Sequence, residues 1–441
     1  VSVFENLCSF RAALFGFAAV IASPALAETI AFTGGTVAIG DGSGPIEGGT
    51  VVVRDGRVVA AGRGVAVPAG ATVIDATGKW IAPGFVGGFT RLGLVEVDAV
   101  GDTNDTAANG SPYSAAIDIE PGINPRVSAI AVSRAGGITR AIVAPETANE
   151  IFAGQGAVID TGADMNAVMV PRAFQFAEMG EAGANEAGGS RPAAYLEFRT
   201  KLRDAERYAR NPAAYDGDSK DALLPKADAA ALVTVVQGRM PLLVHVESGT
   251  DILNVLKLRR EFPALKLVLV GASEGWTVAR DIAASGVPVI ASALNDLPAS
   301  FEMLAATQSN VGRLRAAGVK VSIGMINDED ARQAQYAPQY AGNLVALGKL
   351  PGAAGLQWGE AVAAISSAPA EALGLGGEIG SLRPGRRADV VLWDGDPLEL
   401  ASRPARVWID GVEQPLATRQ SRLRDRYAQP QERELPKAYE R

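Results

Sequence analysis

The feature that most constrains the fold is an alternation running through the middle of the chain. Short apolar runs rich in β-branched residues occur at 140–144, 157–159, 242–246, 267–270, 287–290 and 319–323. Stretches with helical character at 251–261, 277–285 and 311–317 separate the later ones. Strand, helix and strand in series imply parallel pairing through right-handed crossovers. The region covers residues 81–374, which suits an α/β fold with a closed (β/α)8 TIM-like barrel better than an open sheet. In such a barrel the functional site lies at the C-terminal ends of the strands.

Both flanks of this region have a different texture. Residues 28–80 hold short β runs at 30–32, 50–53, 58–61 and 72–74, with Asp55-Gly56 between two of them as a hairpin turn. The pattern returns in residues 375–417, at 388–393 and 406–409, followed by Asp410-Gly411. Two such segments around one large region imply a discontinuous small β-sandwich domain that closes on itself. Residues 178–225 form a polar insertion rich in Gly, Ala and Asn, with a charged helical stretch at 195–210, and are expected as a decorated surface loop or a lid. Residues 418–441 form a charged tail.

Residues 1–27 have the pattern of a secretory signal peptide: Arg11, an apolar stretch at 12–22, and Ala25-Leu26-Ala27 as a small-x-small cleavage site. The mature protein is therefore expected to be exported, periplasmic or secreted. No other stretch is apolar for long enough to span a bilayer. The chain has one histidine and one cysteine, and Cys8 would leave with the signal. Metal sites built on several imidazoles or thiolates are excluded, as is an intrachain disulfide. The formal charge of −8 disfavours nucleic acid and anionic membrane surfaces. A small neutral or cationic molecule fits better as partner, and a homo-oligomer is compatible with the tail.

Particular segments add a family resemblance. Ile81-Ala82-Pro83-Gly84-Phe85-Val86 stands at one end of the middle region, and Ile379-Gly380-Ser381-Leu382-Arg383-Pro384-Gly385-Arg386-Arg387-Ala388-Asp389 with Trp393-Asp394-Gly395-Asp396-Pro397 at the other. Together they resemble the amidohydrolase superfamily, in particular its imidazolonepropionase-like branch. Residues 134–139, 154–158 and Asp251-Ile252 are similar to further segments of that branch. The resemblance implies a metal-bearing barrel joined to a split β-sandwich, and hydrolysis of carbon–nitrogen bonds in a small molecule.

The resemblance also implies metal ligands, and most of those positions are altered. The His-x-His pair of the first strand falls on Phe89-Thr90-Arg91. The fifth-strand histidine matches His245, with Glu247 where some relatives carry another histidine. The sixth-strand histidine falls on or near Gly271, and the eighth-strand aspartate on Ile326, or with a small slip on Asn327 or Asp328. A guanidinium about 4 Å from a divalent ion costs several kcal/mol even at an effective dielectric of about 20. No cofactor is expected, and the family's divalent metal, zinc or similar, is not expected to bind.

Two functions follow. In one, a hydrolase survives with a rebuilt site, in which Arg91 clamps a substrate oxygen, His245 or Glu247 handles the proton, and Asp328 or Asp330 is a second carboxylate. Asn149, Gln155 and Asn327 would line the substrate site. In the other, the protein is a catalytically inactive relative that binds a small molecule or scaffolds an oligomer, with Arg91 paired to Glu247 or Asp328 in an inert plug. The acidic run Glu96, Asp98, Asp102 and Asp105 is either a cation-attracting patch or a solvated loop. Gly154-Gln155-Gly156 lacks the Gly-Lys-Ser/Thr of a phosphate loop and is expected as a tight turn.

Overall fold

The computed structural model describes residues 29–97, 99–217, 222–326 and 332–428. The signal-like residues 1–27, and Asp98, Asn327, Asp328 and Asp330, lie outside the described residues. The strands are β1 (Thr29–Val37), β2 (Ile46–Arg54), β3 (Arg57–Gly62), β4 (Thr72–Asp75), β5 (Trp80–Pro83), β6 (Phe85–Thr90), β7 (Ile138–Val143) and β8 (Phe152–Asp160). They continue with β9 (Val168–Glu178), β10 (Pro241–Val246), β11 (Lys266–Gly271), β12 (Val289–Ala291), β13 (Val321–Ile323), β14 (Val390–Trp393), β15 (Pro404–Ile409) and β16 (Val412–Gln414).

The two ends of the chain share one hydrogen-bonded sheet, in the order β16-β15-β14-β5-β1-β2-β3 with β4 paired to β1. The join is β14 running antiparallel to β5, with Val391 opposite Ala82 and Trp393 opposite Trp80. Phe32 and Trp408 meet edge to face at 4.7 Å in a core to which both ends contribute. Asp55-Gly56 and Asp410-Gly411 adopt positive φ at both residues, as the sequence predicts for tight hairpins. The two turns also touch: a Cβ on Gly56 would stand 2.7 Å from the Asp410 carbonyl oxygen.

The middle region forms an eight-stranded sheet from β6 to β13 in chain order. It departs from the all-parallel (β/α)8 expectation at one strand, because β8 is antiparallel to both β7 and β9. The connections at 144–151 and 161–167 are shorter than the roughly dozen residues a parallel crossover needs, so the chain turns back on itself twice. The 11-residue β9 was not legible as a strand, since Pro171 and Arg172 interrupt its pattern. Closure comes from Met325, whose N–H donates to the Phe89 carbonyl at 2.9 Å. Gly88 permits that approach, as a Cβ there would lie 2.1 Å from the Ile323 carbonyl oxygen.

Residues of these strands fill the barrel, among them Val86, Phe89, Phe174, Phe176, Leu243 and Val270. Part of the polar insertion is built into the wall. The helix Arg191–Arg210 is capped by Ser190, whose side chain accepts from Ala193 N–H, and it buries Tyr195, Phe198, Leu202 and Ala205 at helical spacing. Phe198 stacks on Phe152 of β8 at 5.1 Å.

Arg140 of β7 ties the barrel to the terminal sheet. It is fully buried and makes a two-pronged contact with Asp389, at 2.8 Å on each prong, and a third contact with Asp410 at 2.9 Å. Burial opposes the guanidinium charge, but Asp389 and Asp410 outweigh it and hold Arg140 above its ordinary range. Burial would likewise raise the Asp410 carboxyl, yet Arg140 and Arg387 keep it below its ordinary 3.8. Arg140→Met is expected to destabilise the protein by about 3–5 kcal/mol, since it strands a buried carboxylate. Because the Asp410 pKa is depressed, its share is present above pH 3.8 and fades as pH falls through the lowered value. Denaturant unfolding of wild type and variant should therefore differ most near neutrality and converge in acid.

Candidate functional site

β9 and β10 end side by side, with Glu178 in register with His245. Period-two alternation puts Phe174, Phe176 and Glu178 on one face of β9, and Leu243 and His245 on the matching face of β10. The polar pair thus stands directly above the apolar filling of the barrel, at its C-terminal rim. Glu178 Oε1 lies 2.5 Å from His245 Nδ1, and Glu247 Oε1 lies 2.9 Å from Nε2. A carboxylate oxygen at each ring nitrogen is the arrangement that suits an imidazolium, whose two N–H groups both donate. Burial pulls the other way, but Glu178 and then Glu247 hold the ring protonated well above its usual 6.5.

Glu247 is itself fixed. Its second oxygen accepts from Ser273 N–H at 2.7 Å. The room for it is made by Gly271, where a Cβ would fall 2.4 Å from Glu247 Oε1 and 2.9 Å from His245 Cδ2. Gly271 and the next residue, Ala272, both have positive φ, at 86° and 51°. For the alanine this is a strained conformation, and it turns the Ser273 N–H toward the carboxylate. The position where the resemblance implies a histidine is therefore the cradle of a glutamate.

A second cluster forms beside the first. Arg91 is buried, with Nε 3.0 Å from Glu146 Oε1 and Nη1 donating to the Ala144 carbonyl at 3.0 Å. Its guanidinium carbon lies 4.9 Å from the centre of the Phe89 ring and 5.9 Å from that of Phe176, within cation–π range. The two rings pack on each other at 5.3 Å. Glu146 also accepts from Thr106 Oγ1 at 3.1 Å.

Residues 265–417 match the amidohydrolase family model. A solved amidohydrolase from Thermotoga maritima MSB8 superposes with a TM-score of 0.76 over 87% of this chain and 99% of its own, at 24% identity. The fold of this chain is thus similar to that of the solved Thermotoga protein over nearly its whole length. A solved molinate hydrolase gives a TM-score of 0.53 at 18% identity, covering 93% of this chain and 98% of its own. Amidohydrolase tasK of Hapsidospora irregularis is 25% identical over 384 residues, 79% of this chain. The chain spans 37% of the length of that curated relative.

Within this barrel His245 and Glu247 come together as the sequence suggested, and Arg91 pairs with Glu146, while Asp328, the other partner the sequence offered, lies outside the described residues. Among the described residues the partner of Arg91 is Glu146, on the segment after β7, and not Glu247. Ile326 is half-buried against the barrel filling. Gln155 does not reach the rim cluster: it pairs across the strands with Gln175, on the sheet face opposite Phe174 and Phe176, and donates to the Ala116 carbonyl at 3.4 Å. Asn149 is exposed, donates to the Asn109 carbonyl at 2.9 Å, and lines a cavity of about 30 Å³ with Glu146. Glu96 of the acidic run caps the helix Ser128–Ala135, accepting from Ser128 N–H at 3.0 Å and Oγ at 2.9 Å. Asp102 and Asp105 are exposed. No group of three or more His, Cys, Asp or Glu able to hold a metal occurs among the described residues.

Sequence reasoning missed Glu178, Glu146 and the Ser273 N–H. Only Glu178 left a signal, the alternation Phe174-Gln175-Phe176-Ala177-Glu178, which repeats the in–out pattern of Leu243-Val244-His245.

Because the chain has one histidine, its imidazole resonances are unambiguous. By NMR the His245 ring should remain an imidazolium at pH values above its ordinary 6.5. Its pKa is raised, so its contribution to stability is complete below 6.5 and is lost as pH climbs through the raised value. Gly271→Ala should displace Glu247, cost about 1–3 kcal/mol, and lower the His245 pKa. An unchanged titration in that variant would refute the cradle.

Proposed function

We propose that this protein is a hydrolase of carbon–nitrogen bonds in small amides or cyclic amides, working through a carboxylate–imidazolium centre in place of a divalent cation. The observation that carries the proposal is His245 held between Glu178 and Glu247 at the C-terminal rim, where barrel enzymes place their chemistry. The amidohydrolase match over residues 265–417 and the name of the curated relative support the reaction class.

The donor set does not fit a divalent ion. Phe89 and Gly271 offer no donor, Arg91 brings a cation, and both ring nitrogens of His245 face carboxylates. In the proposed reaction the Glu178–His245 hydrogen bond opens when substrate enters. Glu178, the more accessible carboxylate, then takes a proton from the attacking water, while the imidazolium gives one to the leaving nitrogen. Glu247, anchored by Ser273, keeps the ring oriented throughout.

A second reading is a catalytically silent relative that binds a small molecule, and one feature favours it: neither ring nitrogen is free toward a ligand. A panel of amides and lactams, assayed with and without chelator and paired with elemental analysis, separates the two. Turnover that survives chelator and falls about 100-fold or more in Glu178→Gln supports the hydrolase. Turnover that disappears with chelator and returns with zinc overturns the metal-free centre. Ligand binding with no turnover across the panel selects the silent relative. We further propose that the mature protein is exported, on the signal pattern of residues 1–27. An N terminus at Glu28 in protein recovered from outside the cytoplasm is the expected result.

A further inference from the structure

At the opposite end of the barrel, a cavity of about 540 Å³ opens where strands β10 to β13 begin. Its wall carries four cationic side chains: Arg239, which precedes β10; Arg259, on the helix Gly249–Glu261; Lys266, which opens β11; and Lys320, which precedes β13. One carboxylate, Glu371, faces them. In a chain of formal charge −8 this is a local inversion of sign. Arg259 is oriented by donating to the Ser285 carbonyl at 2.7 Å. Among the described residues, the side chains of Arg239, Lys266 and Lys320 have no hydrogen-bond or ion-pair partner. The floor is apolar: Val268 and Leu373 line the cavity and belong to the barrel filling.

We propose that this cavity is a second ligand site, for a small phosphate ester with an apolar body. Convergent cations with little internal compensation repel one another, and a multivalent anion relieves that repulsion. A planar guanidinium oriented by Ser285 offers donors suited to phosphate oxygens, and the exposed Lys266 and Lys320 add point charges around it. The volume falls in the range of about 300–1,000 Å³ typical of organic ligands, well beyond one inorganic ion. The apolar floor accounts for the remaining space. The site lies at the far end of the strands from His245, so it is separate from the proposed chemistry and does not depend on it.

The test is calorimetric titration of the full-length protein at about 0.15 M salt, with phenyl phosphate, inorganic phosphate and phenol as probes. Phenyl phosphate should bind saturably and more tightly than inorganic phosphate, and phenol should not bind. The double variant Lys266→Ala/Lys320→Ala changes exposed side chains only and should weaken binding about tenfold or more, the effect of losing a charge-assisted contact. The control Arg422→Ala/Arg424→Ala, on the exposed helix Arg419–Ala428, should bind as wild type. Absence of saturable binding, equal binding of phenyl phosphate and inorganic phosphate, or equal losses in both variants would overturn the proposal.

Discussion

Closure of the barrel at Gly88 is the constraint on which the rim depends. β6 and β13 approach through Gly88, where any side chain would strike the Ile323 carbonyl, and the Met325–Phe89 hydrogen bond completes the ring. Without that contact β6 would be an open edge, and Phe89 and Arg91 would not be held over Phe176. Register sets which residues face inward on neighbouring strands, and β9 and β10 pair with His245 opposite Glu178. Glu178 and His245 meet for that reason.

The rim gathers two charged clusters. Where the family resemblance calls for a dication among imidazoles, this chain has one ring carrying an extra proton between two carboxylates, and a guanidinium stacked on two phenyl rings with its own carboxylate. Each positive charge is matched locally, as burial demands. The residues fit one another, since Gly271 leaves a space that Glu247 fills, and Phe89 packs on Phe176 beside it. One strained turn, at Gly271 and Ala272, serves both purposes by opening the cradle and aiming an amide into it.

Much of the framework was legible beforehand for reasons that are local. The runs at 242–246 and 267–270 are dense in β-branched and leucine residues and become β10 and β11 nearly residue for residue. The Asp-Gly pairs form turns because few other sequences tolerate two successive positive φ angles. β9 and the reversal at β8 were not legible, because strand direction is set by connection length and by what the neighbouring strands leave open. The helix Arg191–Arg210 was read as a charged excursion since its apolar residues are sparse, yet they fall on one face and that face is buried.

By itself the sequence determined the inventory: one imidazole, one thiol, and a phenyl ring, a guanidinium and a glycine at positions where the resemblance implies metal ligands. It also determined the two β-textured ends and the strand–helix series between them, because propensity and periodicity act over a few residues at a time. Only the tertiary structure decided the partners. Glu178 is 67 residues from His245, and Glu146 is 55 from Arg91, and no local rule relates them. Ion pairs across a barrel depend on register and closure, which belong to the whole sheet and to no single segment of it.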